Sequence, residues 1–199
     1  MTDFETIVTS IVALEPCYGT QGGNATRIYT RQGEILEDKR RLLTILKKTV
    51  RYYSLDLTSL RQNYATYLGC NQNAPLPLSA QLVLVPLKMR QPLVENDGAD
   101  GYVNVCAIID ITDVINEMNG AITGCRLHLI GGHSVTCLFS RKTTEKRTTA
   151  GRLALDRRLA LQGYSSGESF IREKANEGTD DYVLEIIKKL LLYLLQKMG

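Results

Sequence analysis

The chain has 199 residues, 44% hydrophobic and 23% charged, an ordinary globular composition with enough apolar side chain for a sizeable core. It contains no internal repeat, no low-complexity tract and no apolar run long enough to span a membrane, because Lys188 and Lys189 interrupt the most apolar stretch. The net charge of +3 is modest, so any pull on a polyanion must come from how the charge is distributed.

Met1 is followed by Thr2, Asp3, Phe4 and Glu5, with neither the basic nor the apolar region of an export signal, so a cytoplasmic protein is expected. The five cysteines, at 17, 70, 106, 125 and 137, are odd in number and form no C-x-x-C. They are expected as reduced, mostly buried thiols.

In chain order, residues 4–16 are β-branched and apolar and read as a strand ended by Pro16. The glycine-rich residues 17–24 read as a loop, and 25–36 as a hairpin around Arg31-Gln32-Gly33-Glu34. In 37–53 the period changes. Leu42, Leu43, Leu46 and Val50 recur at helical spacing, Ile45 widens the stripe, and basic residues fill much of the rest, which predicts an amphipathic helix with one basic face. Residues 54–69 suit a short helix or an irregular segment, and Pro75 and Pro77 make 71–78 a loop. A buried strand is expected over 80–88, stopped by Pro86, then a polar loop over 89–101 and a strand over 102–110. Asn119-Gly120 marks a turn.

Residues 125–142, CRLHLIGGHSVTCLFSRK, hold both histidines between two cysteines, at spacing C-x2-H-x4-H-x3-C. Gly131-Gly132 predicts a hairpin. A two-residue turn puts Arg126, His128, Ile130, His133, Val135 and Cys137 on one face. The other face then takes Cys125, Leu127, Leu129, Ser134, Thr136 and Leu138, and a loop of odd length reverses the parity. On the two-residue turn the would-be metal ligands are divided, so no zinc tetrahedron forms, and Leu127, Leu129 and Leu138 turn to the core. A helix is expected over 142–163, weakened at Gly151, then a connector, and a helix over 179–199 that either packs on the sheet or joins two copies. The order of elements suits an α+β fold, mostly antiparallel, with a basic amphipathic helix and a C-terminal helical segment. Two parts are expected: 1–163 as the main domain and 164–199 as a helical extension and possible dimerisation element.

Motifs of catalysis are missing. No G-x-S-x-G, P-loop or G-x-G-x-x-G occurs, Cys106 lies in an apolar strand where a thiol is inert, and Glu95–Asp100 is too short for a calcium loop. No cofactor and no small-molecule substrate is expected. The charge distribution says more. Residues 141–158 carry seven basic side chains (Arg141, Lys142, Lys146, Arg147, Arg152, Arg157, Arg158) against Glu145 and Asp156, a local +5 that exceeds the whole chain's +3. Lys39, Arg40, Arg41, Lys47, Lys48 and Arg51 make a second cluster, which a solvated helix face also explains.

From Thr49 the chain reads TVRYYSLDLTSLRQNYATYLG, then NAPLPLSAQLVLVPLKMRQP, GYVNVCAI, and CRLHLIGGHSVTCLFSRKTTEKRTTAGRLA. This resembles the ComK family of bacterial competence transcription factors over roughly residues 5–155. Val85-Pro86-Leu87-Lys88 stands at the family's Phe-Pro-Thr turn, Gly101-Tyr102 at its glycine and aromatic, and Gly131-Gly132 at its Asn-Gly hairpin turn. Leu87 and Lys88 replace small polar residues, Arg147 stands where glutamine is usual, and the C-terminal helix extends beyond the match. The resemblance implies a transcription activator that binds A·T-rich promoter DNA as an oligomer and switches on genes for DNA uptake. The DNA-binding residues expected from the basic clusters are Arg141, Lys142, Lys146, Arg147 and Arg152, followed by Lys88 and Arg90 after Pro86. The alternatives are a non-enzymatic protein docking acidic proteins or RNA through the same patches, and an enzyme whose site no motif reveals.

Overall fold

A computed structural model describes residues 4–20, 22–70, 73–95, 97–118 and 120–163. The expected connector and helix of 164–199 lie outside the described residues. The chain divides into two compact units, Met1–Arg158 and Leu159–Gly199. The described part of the second is the last turn of a helix and Gly163 at positive φ.

The first unit is α+β, as expected. Its order is α1 (Phe4–Val8), β1 (Ile11–Tyr18), β2 (Asn24–Thr30), β3 (Ile35–Asp38), α2 (Leu42–Tyr52), α3 (Leu57–Leu68), β4 (Leu76–Pro77), β5 (Val83–Lys88) and β6 (Asp100–Asn104). A 3-10 turn (Val105–Ala107) leads to β7 (Ile108–Ile115), β8 (Ile122–Leu129), β9 (His133–Cys137) and α4 (Arg141–Leu161). Six strands form one antiparallel sheet in the order β3-β2-β1-β6-β5-β4, and β7-β8-β9 form a second. One apolar cluster joins a face of the large sheet (Ile11, Leu14, Ile28, Leu84) to the three helices α1–α3 through Val8, Leu46 and Leu60. A second joins the other face (Val12, Val85, Val103) to Cys125, Leu127, Leu129 and Val135 of the small sheet. Each fully buried leucine, such as Leu46 or Leu127, contributes about 2 kcal/mol.

Several boundaries differ from expectation for identifiable reasons. Residues 4–8 form a helical turn, because Phe4, Ile7 and Val8 at i, i+3 and i+4 bury together and Ser10 caps the carbonyl of Ile7 at 2.8 Å. Pro16 does not end β1, which runs to Tyr18. At Pro16 the strand has only β2 beside it, since pairing with β6 stops at Leu14. Glu37 and Asp38 belong to β3, paired with β2, and α2 starts five residues after the expected 37. The segment after it is a regular helix: Asp56 accepts from the Ser59 N–H at 2.8 Å and Gly69 closes α3 at φ 62°.

Residues 102–110 are two strands in two sheets. Asn104, buried, makes the crossing. Its Oδ1 accepts from the N–H groups of Val83 and Cys106, both at 3.1 Å, and its Nδ2 donates to the Gln81 carbonyl at 2.8 Å. The side chain thus replaces ladder bonds where the backbone turns away.

Gly151 sits in the middle of α4 because the helix comes close there. A Cβ would stand 2.5 Å from Val85 Cγ2 and 2.7 Å from Val105 Cγ1.

Candidate nucleic-acid interface

The hairpin that leads into the basic segment has a register other than the two-residue turn predicts. Leu129 pairs with His133, Leu127 with Val135 and Cys125 with Cys137, so the loop is the three residues 130–132 and the parity reverses. Cys125, Leu127, Leu129, His133, Val135 and Cys137 share the buried face, and Leu138 is only half-buried. The cause is tertiary. His133 Nε2 lies 2.9 Å from the Thr30 carbonyl and its ring meets Tyr29 edge-on at 5.2 Å. Gly131, at φ 87°, lets the loop approach Thr30, where a Cβ would come within 2.8 Å of the carbonyl oxygen. His128 stays on the outer face, 3.0 Å from Thr112 Oγ1. Among the described residues no group of three or more His, Cys, Asp or Glu is placed to hold a metal ion.

From this hairpin the chain passes into α4, which is fixed by its inner side. Thr144, Thr148, Gly151 and Ala154 are buried there. Their small size brings the backbone near the sheets. Two arginines on the same side seal the outer edge of the large sheet. Arg147 Nη1 donates to the Pro86 carbonyl at 3.1 Å and Arg158 Nη1 to the Pro77 carbonyl at 2.9 Å. The Leu138 N–H donates to the Lys88 carbonyl at 2.7 Å. In a strand the N–H and C=O of one residue point the same way, so residue 86 faces away from β6 and its missing N–H breaks no ladder bond. This is why Pro86 sits inside β5 instead of stopping it.

The opposite side of α4 faces solvent and carries Arg141, Lys142, Lys146, Arg152 and Arg157. Lys142, Lys146, Leu153 and Arg157 follow one another at i+4 or i+7 and share a stripe. Arg141 bonds Glu145 at 2.8 Å, an exposed i,i+4 pair that water screens. The first turn of α4 contains no acidic residue, so Lys142 stands at the positive end of the helix dipole without the carboxylate partner that Arg141 finds in Glu145.

Of the seven expected contact residues, the structure brings Arg141, Lys142, Lys146 and Arg152 together on this face. Arg147 is turned inward and stacks on Phe139, 4.5 Å from the ring centre. Lys88 is half-buried at the end of β5. Arg90 holds loops together: it donates to the carbonyls of Gly98 and Cys17 and to Asn24 Oδ1, and lies over the Tyr18 ring at 4.4 Å. Arg157 was outside the expected set and belongs to the face; its guanidinium also lies over Tyr67 at 4.1 Å. Its place eleven residues after Lys146, about three helical turns, is the readable signal. In the second cluster, Arg40 pairs with Asp38 and Lys48 lies over Phe4, while Lys47 and Arg51 are exposed on α2.

No helix among the described residues is long and apolar enough to cross a membrane. Compared with protein-family models, curated proteins and solved structures, the chain matches none.

Proposed function

We propose that this chain is a DNA-binding transcription regulator, similar to the ComK family, that contacts A·T-rich promoter DNA through the outer face of α4. It would act in the cytoplasm as an oligomer and activate genes for DNA uptake, as the resemblance implies. The observation that carries the reading is the division of α4 into two sides. One side is locked to the sheets by small residues and two arginines, and the other presents Arg141, Lys142, Lys146, Arg152 and Arg157 to solvent. A helix held by its inner side presents these cations without further backbone ordering, and each phosphate neutralised releases counterions. Lys142 at the positive end of the helix also costs some stability alone, a cost that a polyanion relieves.

The test is fluorescence anisotropy with a labelled A·T-rich duplex, from about 50 to about 200 mM salt. A linear fall of log K with log salt supports the reading, and a flat line rejects it. The second reading is an acidic protein partner. It is favoured by one observation: Leu153, an apolar side chain 48% exposed, lies within the cationic stripe.

A further inference from the structure

We propose that Cys125 and Cys137 are a redox pair, closing to an intramolecular disulfide on exposure to a hydroperoxide, and that Thr144 transmits the change to the seating of α4. The two residues face each other directly across β8 and β9, and both are fully buried. Facing residues of an antiparallel pair have Cα atoms about 4.5 or about 5.5 Å apart. Both separations fall in the Cα window of about 4.4–6.8 Å that a disulfide needs, so closure asks only that the two Cβ atoms draw slightly together. Gly124, next to Cys125, allows this approach, since a Cβ there would collide with the Cys137 carbonyl. Cys17, in contrast, pairs with Ala25.

The two sulfurs share one hydroxyl. The Cys125 thiol donates to Thr144 Oγ1 at 3.2 Å, and Thr144 donates to Cys137 Sγ at 3.5 Å. The Phe139 N–H also donates to Cys137 Sγ at 3.4 Å. The neighbouring Cys125 thiol pulls Cys137 down to about 6, with Thr144 and the Phe139 N–H adding to it against burial. The same pairing and burial push Cys125 up. The hydrogen bonds make the roles unequal: Cys137 Sγ accepts from both Thr144 and the Phe139 N–H, which favours its thiolate, whereas Cys125 donates, so Cys137 is the nucleophile and Cys125 the resolving thiol.

In the first step the Cys137 thiolate attacks a peroxide oxygen. An S–O bond forms, the O–O bond breaks, and the departing oxygen takes a proton to leave as water or an alcohol. In the second, Cys125 loses its proton and attacks the sulfenic sulfur. An S–S bond forms, the S–O bond breaks and water leaves. Two thiols give up two electrons, and the peroxide accepts them.

Thr144 lies in the first turn of α4, directly over the pair. After oxidation neither sulfur holds a hydrogen or a negative charge, so the hydroxyl loses both its partners and the first turn loosens. The turn also covers the sulfurs, so peroxide reaches them only when it lifts. Duplex bound to the outer face would hold it down. That last link rests on the DNA-binding reading, whereas the disulfide does not.

The experiment treats the reduced full chain with hydrogen peroxide, alkylates it after denaturation and maps the peptides by mass. A Cys125–Cys137 peptide lighter by two hydrogens is expected, reversed by dithiothreitol, absent from Cys125→Ser and Cys137→Ser, and formed more slowly with duplex present. Amide exchange over residues 141–148 should be several-fold faster in the oxidised protein, and Thr144→Val should abolish that difference. If both cysteines remain alkylatable while Cys70 or Cys106 oxidises, the redox pair is rejected. A disulfide that leaves exchange unchanged rejects the role of Thr144. Should the serine variants fail to fold, the wild-type peptide map alone decides the first point. Absence of DNA binding by the reduced protein counts against the functional reading only, since mass and exchange are read without DNA.

Discussion

Arg147 donates to the carbonyl of Pro86 at 3.1 Å and thereby ties the middle of α4 to the end of β5 that β4 leaves unpaired, 61 residues earlier. Its guanidinium also stacks on Phe139. Replacing it by alanine removes a charged hydrogen bond and a stacking interaction and should lower stability by about 1–3 kcal/mol. Arg152→Ala, on the exposed side, should change stability by less than about 0.5 kcal/mol. Urea unfolding of the two variants makes the comparison, and equal losses would show that Arg147 has no sealing role.

The reverse order is expected for DNA. Lys142→Ala with Lys146→Ala should reduce the slope of log K against log salt by roughly 2, about one for each cation withdrawn from a phosphate, without lowering the unfolding midpoint. Arg90→Ala should instead lower stability, through the loops it ties, and leave the salt slope as it was. Anisotropy titrations at several salt concentrations check both.

Gly151→Ala places a methyl about where Val85 and Val105 already stand. Overpacking of this kind costs about 1–3 kcal/mol, although alanine is the better helix former. A thermal melt that rises for this variant would mean that α4 sits further from β5 than 2.5 Å from Val85 Cγ2 implies.

Asn104→Leu removes the acceptor of the Val83 and Cys106 N–H groups and the donor to Gln81, leaving buried polar groups without partners. A loss of about 2–4 kcal/mol is expected, along with faster amide exchange at residues 83 and 106. Equilibrium denaturation with exchange mass spectrometry tests it.

Tyr29 gives a pH signature. Burial, followed by its hydrogen bond to Glu15, raises its hydroxyl from 10.0 to about 12. Between those values the native state keeps a proton that the unfolded chain has lost, so stability falls as pH rises through this window. Its contribution is intact below pH 10.0. Tyr29→Phe should flatten the fall, as measured by denaturation at stepped alkaline pH.

Local patterns in the sequence reach only part of this. The helical stripe of Leu42, Ile45, Leu46 and Val50, from which the 47% exposed Leu43 departs, the β2–β3 turn at Gly33 and the presence of a hairpin at Gly131-Gly132 are legible from near neighbours. The faces of the 125–137 hairpin were not, because the choice between a two- and a three-residue loop is made by His133 meeting Thr30, 103 residues away. Asn104 looked like one polar residue in an alternating strand, since its three main partners come from other segments and the turn that follows it. The basic segment was legible as charge, but not which cations face outward. Arg147 and Arg152 are alike in sequence, and only the packing of Thr144, Thr148 and Gly151 sorts them.

The edge of the large sheet has a consequence for how the chain can be cut. The carbonyls of Pro86, Lys88 and Pro77 are covered by side chains and backbone of residues 138–158, not by another strand. A fragment ending before Leu138 would bare those acceptors along β4 and the end of β5, and such a row recruits strands from other molecules. It should aggregate on refolding, whereas a fragment that retains Arg158 keeps its edge closed and should remain monodisperse in light scattering.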